Sequence, residues 1–256
     1  MMELNKIYCG DNCDLLGQLP RECIDLVVTS PPYDDLRTYG GHTWDFYGVA
    51  WQLKRVLKPG GVIVWVVADA TKDGSETGTS MEQALHFKRL GLSLHDTMIY
   101  QKQFYVPLTH NRYEQEFEYM FVFSKGQPKS FNPKKVKTLF GGQKSTLTHR
   151  KTGEEPVRGT NYGEARKEER IIGNVWLKQP ARCSEHPAVF PDDLATDHIS
   201  SWSNPGDLVL DPFTGSGTTC KAAKELGRNF LGFEINPEYC KIAERRIAQE
   251  VLDFAS

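Results

Sequence analysis

Between Leu208 and Glu234 the chain spells a strand, a glycine-bearing turn, a helix and a second strand closed by an acid. Leu208-Val209-Leu210 is a short apolar run. Asp211-Pro212-Phe213-Thr214-Gly215-Ser216-Gly217-Thr218-Thr219 follows it and opens a helical pattern reaching Leu226. The glycines let the chain turn tightly and bring backbone close to a ligand. Phe230-Leu231-Gly232-Phe233 is the next strand, and Glu234 ends it 19 residues after Gly215. In a βαβ unit an acid at that place accepts hydrogen bonds from ribose hydroxyls. The spacing by itself also suits a dinucleotide site. However, the third glycine of G-x-G-x-x-G is missing, and no G-K-[ST] makes a P-loop.

The preceding chain carries the same alternation. Ile24-Asp25-Leu26-Val27-Val28-Thr29 is apolar and rich in β-branched residues, and it stops at Pro31-Pro32, as a buried strand does. Trp44 to Leu57 has helical spacing and ends at Lys58-Pro59-Gly60-Gly61. Val62 to Val67 is a second buried strand, Met81 to Leu90 a helix, and Thr97 to Gln103 and Phe117 to Ser124 further strands. Pro237 to Phe254 reads as a helix. Strands alternating with helices predict an α/β fold with a mostly parallel, doubly wound sheet.

With 256 residues, 39% of them hydrophobic, the chain suits one large domain or one domain carrying an insertion, and needs no disulfide or metal staple. The longest apolar stretch, Val62 to Ala68, is far short of the ~20 residues that span a bilayer. Met1-Met2-Glu3-Leu4-Asn5-Lys6 lacks a basic-then-apolar leader pattern. No membrane partner is expected, and the cytoplasm is the expected location. The six cysteines form no C-x-x-C pair and sit beside no His cluster, so inert thiols in a reducing compartment and no metal are expected.

The net charge of -2 hides a segregation. Between Lys125 and Arg182 there are fourteen Lys or Arg against five acids, a balance of about +9 that leaves about -11 for the rest. Such a segment on a near-neutral body suits a polyanion. It is rich in Gly, Thr, Asn and Pro with weak periodicity, and reads as long loops.

A second motif, Thr29-Ser30-Pro31-Pro32-Tyr33, leaves the carboxyl end of the first buried strand, where open α/β sheets bind ligands. Two prolines fix φ and remove two N–H donors, leaving a rigid array dominated by acceptors. Tyr33 adds a flat ring. Acceptors beside an aromatic platform suit a planar group bearing an amine.

Together the two motifs resemble those of the β-class of exocyclic-amino DNA methyltransferases, in which the catalytic motif precedes the S-adenosylmethionine (SAM) motif. Ser30-Pro31-Pro32-Tyr33 matches the catalytic tetrapeptide. Asp211-Pro212-Phe213 with Gly215-Ser216-Gly217-Thr218 matches the SAM motif, Glu234 its ribose-binding acid with Asn236 close behind, and Gly10-Asp11 the segment whose Asp meets the adenine amino group. His186-Pro187-Ala188-Val189-Phe190-Pro191 resembles the segment that walls the cofactor's methionine end. The resemblance implies a Rossmann-like SAM-dependent methyltransferase fold over 1–124 and 183–256, in circularly permuted motif order. It makes 125–182 a target-recognition insertion. Lys134, Lys135, Lys137, Lys144, Arg150, Arg158 and Arg166 are its candidate contacts to double-stranded DNA.

The implied reaction moves the SAM methyl to the exocyclic amine of a base flipped from the DNA stack, without a covalent intermediate. Ser at position 30 favours cytosine N4 over adenine N6 as target, in the manner of a restriction-modification methyltransferase at the nucleoid. A homodimer stays open. C5-cytosine methylation needs a Cys directly after a proline in that family, and no cysteine here follows one. An RNA or small-molecule methyltransferase and a non-catalytic DNA-binding module are the more distant alternatives.

Overall fold

The computed structural model describes residues 2–32, 44–103, 112–139, 141–144, 148–149, 157–158, 164–180 and 191–249. The chain runs β1 (Lys6–Cys9), α1 (Asn12–Gly17), β2 (Ile24–Thr29), α2 (Phe46–Val56) and β3 (Leu57–Val67). A small hairpin, β4 (Thr71–Lys72) and β5 (Ser75–Glu76), leads to α3 (Thr79–Arg89), β6 (Ser93–Lys102) and β7 (Phe117–Ser124). Four short strands follow: β8 (Lys135–Lys137), β9 (Thr148–His149), β10 (Val157–Arg158) and β11 (Glu169–Ile171). Then come β12 (Val175–Lys178), α4 (Asp192–Trp202), β13 (Leu208–Asp211), α5 (Thr218–Glu225), β14 (Asn229–Glu234) and α6 (Pro237–Ala248).

The chain forms two compact units, 1–132 with 174–256, and 133–173. The larger unit holds an eight-stranded sheet in the order β1-β14-β13-β2-β3-β7-β6-β12. Every neighbouring pair is parallel except the two that β7 makes with β3 and β6, so β7 alone is reversed. From β2 the chain winds through α2 to β3 on one side. From β13 it winds through α5 to β14 on the other. The order therefore reverses between β2 and β13, and ligands of open α/β sheets bind at such a switch point.

Burial explains the runs read in the sequence. All six residues of β2, and Val62–Val67 of β3, are buried, because strands covered by helices on both faces need apolar side chains on both. Helix α2 turns Val49, Ala50, Leu53 and Val56 inward, one face at helical spacing. Trp65, Phe87 and Phe123 pack beneath it, ring on ring at 4.8–5.2 Å. The Trp65 indole N–H donates to Gln83 Oε1 at 2.8 Å, so its polar atom is satisfied inside the core.

The basic segment differs from the loops expected of it. The smaller unit, 133–173, is narrower than the charged stretch and contains two antiparallel pairs, β8 with β11 and β9 with β10. Val175–Lys178 joins the main sheet as a parallel edge strand against β6. Only Trp176 of that strand is buried, and a four-residue edge strand with one buried side chain has too little periodicity to stand out in sequence. Strand β1 and helices α1 and α4 are also new. The first two are short, and α4 begins at Pro191-Asp192-Asp193, where a proline and two acids mark a helix start. Residues 250–256, the end of the helix expected to reach Phe254, lie outside the described residues.

Candidate active site

The two motifs meet at the switch point. Strands β13 and β2 pair in parallel, Val209 with Leu26 and Leu210 with Val27. Just beyond, the Thr29 hydroxyl donates to Asp211 Oδ1 at 2.6 Å, with both residues buried. The Phe213 amide donates to the same oxygen at 3.1 Å, and Thr219 Oγ1 of α5 donates to the Val28 carbonyl at 3.1 Å. Ser30-Pro31-Pro32 thus leaves β2 beside the glycine turn that leaves β13. Pro31 is buried, while Ser30 and Pro32 are partly exposed. Burial pushes the Asp211 carboxyl up to about 6, against the hydrogen bonds from Thr29 and the Phe213 amide, and the Glu234 charge adds to the rise.

The turn is built from backbone. Gly215 and Gly217 take φ of +51° and +86°, left-handed values that glycine adopts without strain. At Gly217 a Cβ would also lie 3.0 Å from the Ala243 Cβ of α6. The crowding there comes from the protein, and this is a different reason for glycine from the ligand approach expected of the motif. At Gly232 of β14 a Cβ would lie 2.5 Å from both Ile7 Cδ1 and Thr214 Oγ1, so that glycine admits the turn against the sheet. Ser216 and Thr218 are buried, and both hydroxyls face Arg246 of α6. Pro212 is buried, and its carbonyl accepts from Asn12 Nδ2 at 3.3 Å. The Phe213 ring meets Trp44 edge-on at 4.8 Å.

The Glu234 carboxylate is fixed at the end of β14. Its Oε2 accepts from the Gly215 amide at 2.9 Å and its Oε1 from the Asn236 amide at 2.8 Å. The Asn236 side chain caps α6 through the Glu238 amide at 2.9 Å. Asp11 is the N-cap of α1, its Oδ1 accepting from Cys13 and Asp14 amides. It follows Gly10, whose amide donates to the Glu234 carbonyl at 2.9 Å. Asp11, Asp211, Gly215, Gly217, Glu234 and Asn236 are therefore gathered at one end of neighbouring strands β1, β14 and β13.

Tyr33, His186 and Pro187 lie outside the described residues. Sequence reasoning placed Thr29 in the second motif without a role of its own, and missed Asn12, Gly232 and Arg246. Thr29 stood at the head of that motif, one residue before Ser30. The other three act through tertiary contacts that no local pattern announces.

In the smaller unit, Lys134, Lys135, Lys137 and Lys144 are exposed and Arg166 partly so. Lys135 and Lys137 stand on β8, whose partner β11 supplies Arg170 and Ile171, and an ion pair links Lys135 to Glu169 at 3.8 Å. A cavity of about 760 Å³ is lined there by Lys135, Lys137, Leu139, Arg166, Lys167 and Arg170 among others. The Lys144 backbone bridges to Ala165. Arg158 is placed only by its backbone, in β10, and Arg150 lies outside the described residues. Among the described residues no group of three or more His, Cys, Asp or Glu could hold a metal, and no helix is long and apolar enough to cross a membrane.

Known proteins resemble this chain along most of its length. The family model described as DNA methylase matches residues 24–245. The orphan methyltransferase M.BamHII of Bacillus amyloliquefaciens is 48% identical over 240 residues, covering 90% of each chain. The type II methyltransferase M.BglII of Bacillus subtilis is 31% identical, covering 96% of this chain and 70% of its own. The structure of TTHA0409 from Thermus thermophilus, a putative DNA modification methylase complexed with S-adenosyl-L-methionine, is 28% identical, with a TM-score of 0.66 and 97% of each chain covered. With Ser30-Pro31-Pro32 and the glycine turn side by side at one switch point, this chain belongs to the DNA methylase family, the SAM-dependent enzymes that methylate exocyclic amino groups in DNA.

Proposed function

We propose that the protein transfers the SAM methyl group to N4 of a cytosine flipped out of double-stranded DNA, at the nucleoid of a bacterial cytoplasm. The observation that carries the site assignment is the 2.6 Å bond between Thr29 and Asp211. It holds the exit of the Ser30 tetrapeptide against the turn assigned to the cofactor, so methyl donor and acceptor would share one crevice.

The residues fit SAM. Glu234, fixed by two amides, would accept from the ribose hydroxyls, and Asp11 at the adjoining strand end from the adenine amine. Asp211, Pro212, Phe213, the turn 215–218 and Asn236 would surround the rest, with His186 and Pro187 toward the methionine end. When bound, SAM supplies an electrophilic methyl on sulfur. The chain's own contribution is positioning. The cytosine amine is a poor nucleophile because its lone pair is delocalised into the ring. The Ser30 hydroxyl and the Pro31 carbonyl would accept its N–H bonds, favouring a pyramidal nitrogen whose lone pair points at the methyl. Tyr33 would stack on the flipped base, offsetting part of the few kcal/mol that unstacking costs. The unit 133–173, as target-recognition region, would track phosphates with Lys134, Lys135, Lys137 and Lys144, and Arg150, Arg158 and Arg166 would approach bases.

Ser in place of Asp at position 30 supports cytosine over adenine. Incubating the enzyme with SAM and DNA, digesting to nucleosides and weighing the products tests it. N4-methylcytosine is expected. N6-methyladenine would move the target to adenine within the same class, and no methylated base would overturn the assignment.

A further inference from the structure

The glycine turn is held from behind by a residue outside every motif above. Arg246 stands on α6. Its Nη1 donates to the Ser216 carbonyl at 2.8 Å, to Ser216 Oγ at 2.6 Å and to Thr218 Oγ1 at 3.3 Å. Its Nη2 donates to Asp192 Oδ1 at 3.3 Å, on the first residue of α4. The other Asp192 oxygen faces Lys221 of α5 at 3.6 Å. One guanidinium therefore ties the turn to two helices.

The first half of the turn is tied to the sheet, by Glu234 on the Gly215 amide and by the Asp211 carbonyl on the Thr214 hydroxyl, and Arg246 takes the second half. Its glycines are the residues with the most backbone freedom to lose, and the N-cap of α5 is Gly217, which has no side chain to cap with. The Ser216 and Thr218 hydroxyl oxygens accept from Arg246, so both side chains serve the turn's shape. Arg presents its donors in a planar, rigid fork, whereas Lys offers a single point charge on a flexible stem. Four acceptors spread over a turn and a neighbouring helix suit the first and not the second.

We propose that Arg246 is the positioning residue of the cofactor turn. Held by Asp192, it fixes Ser216-Gly217-Thr218 in the conformation that presents backbone to SAM, and it sets cofactor affinity with no part in the methyl transfer itself. This rests on the assignment of the turn to SAM made above. The physical reason is preorganisation: a turn ordered before binding does not charge its ordering entropy to the ligand.

The test is a calorimetric SAM titration of the wild type, Arg246→Ala, Arg246→Lys, Asp192→Asn, the double variant Arg246→Ala with Asp192→Asn, and Glu234→Gln, each with a thermal melt. Arg246→Ala is expected to weaken SAM binding at least about tenfold, the scale of losing a hydrogen bond to a charged group. Arg246→Lys and Asp192→Asn should weaken it by smaller factors. The double variant Arg246→Ala with Asp192→Asn should be no worse than Arg246→Ala alone, since both act through one contact. In steady state the KM for SAM should rise while the KM for DNA and kcat at saturating SAM hold. A matching fall in kcat and rise in the DNA KM would signal general loosening and overturn the proposal. Wild-type SAM affinity in folded Arg246→Ala, with affinity weakened in Glu234→Gln, would overturn it alone. Wild-type affinity in both would remove SAM from the turn, and the proposal with it. Should Arg246→Ala fail to fold, wild-type affinity in both Arg246→Lys and Asp192→Asn overturns it.

Discussion

Replacing Thr29 by Val removes one of the donors that meet the buried Asp211 carboxyl, beside the Phe213 amide and the Thr219 hydroxyl. Thr29 is 0% exposed and Asp211 2%, so water cannot replace the donor lost at 2.6 Å. Losing a hydrogen bond to a charged group costs about 1.5–3 kcal/mol. The cost applies in full only when Asp211 is ionised. Its carboxyl is raised from 3.8 to about 6, so folding favours the neutral form and the folded protein carries the ionised form above about pH 6. The stability that the neutral form brings is complete below the unfolded value near 3.8 and is lost as pH rises through about 6. Removing the Thr29 donor raises that carboxyl further, because the bond favoured the charge.

Thr29→Val should therefore destabilise the protein more at pH 8 than at pH 5, by about 1 kcal/mol or more. Thr29→Ser, which keeps the hydroxyl, should follow the wild type. Glu234 and Cys220 are the titratable groups that act on Asp211 electrostatically. Cys220 is buried with its thiol pushed up, so it stays neutral, and Glu234 is common to all variants. Denaturant unfolding of the three proteins at both pH values reads the difference directly. A Thr29→Val penalty equal at pH 5 and pH 8 would refute the reasoning, since the lost donor would then not be serving a carboxylate.

Ser30→Ala and Tyr33→Ala should each keep SAM binding by calorimetry and lower the methylation rate by at least about 10², the scale of losing one transition-state contact; wild-type rates would sink the catalytic assignment. Glu234→Gln should weaken SAM by about 1.5–3 kcal/mol, with DNA affinity measured without SAM unchanged; an equal loss for DNA would argue against a cofactor role. Gly232→Ala places a methyl 2.5 Å from Thr214 Oγ1 and Ile7 Cδ1 and should destabilise by about 1–3 kcal/mol, the usual cost of overpacking, visible as a lowered Tm; an unchanged Tm would mean the turn yields freely. Alanine at Lys134, Lys135, Lys137 or Lys144 should weaken binding to cognate and scrambled duplexes alike and flatten the log–log salt slope by about one each. Unchanged slopes in all four would place DNA elsewhere.

Much of this protein follows from local pattern. The strand at Ile24–Thr29 and the one at Val62–Val67 are legible because burial on both faces demands unbroken apolar runs. The unit from Leu208 to Glu234 is legible because strand, turn, helix and terminal acid come at fixed short spacings. Those features, with the Ser30 tetrapeptide, carry the fold class, the cofactor and the family. What they leave undecided depends on contacts between residues far apart in the chain. Thr29 and Asp211 are 182 positions apart, and only parallel pairing of β2 with β13 brings a hydroxyl to a carboxylate. Arg246 sits among the charges of an amphipathic helix, and its role appears only when α6 folds back behind the glycine turn. Gly232 and Gly217 are glycines for the sake of Thr214, Ile7 and Ala243, neighbours assigned by packing. Local sequence sets which backbone conformations are cheap and which faces are apolar. The partner of a buried polar group or a crowded glycine is chosen by how the layers stack, and that is a property of the folded chain.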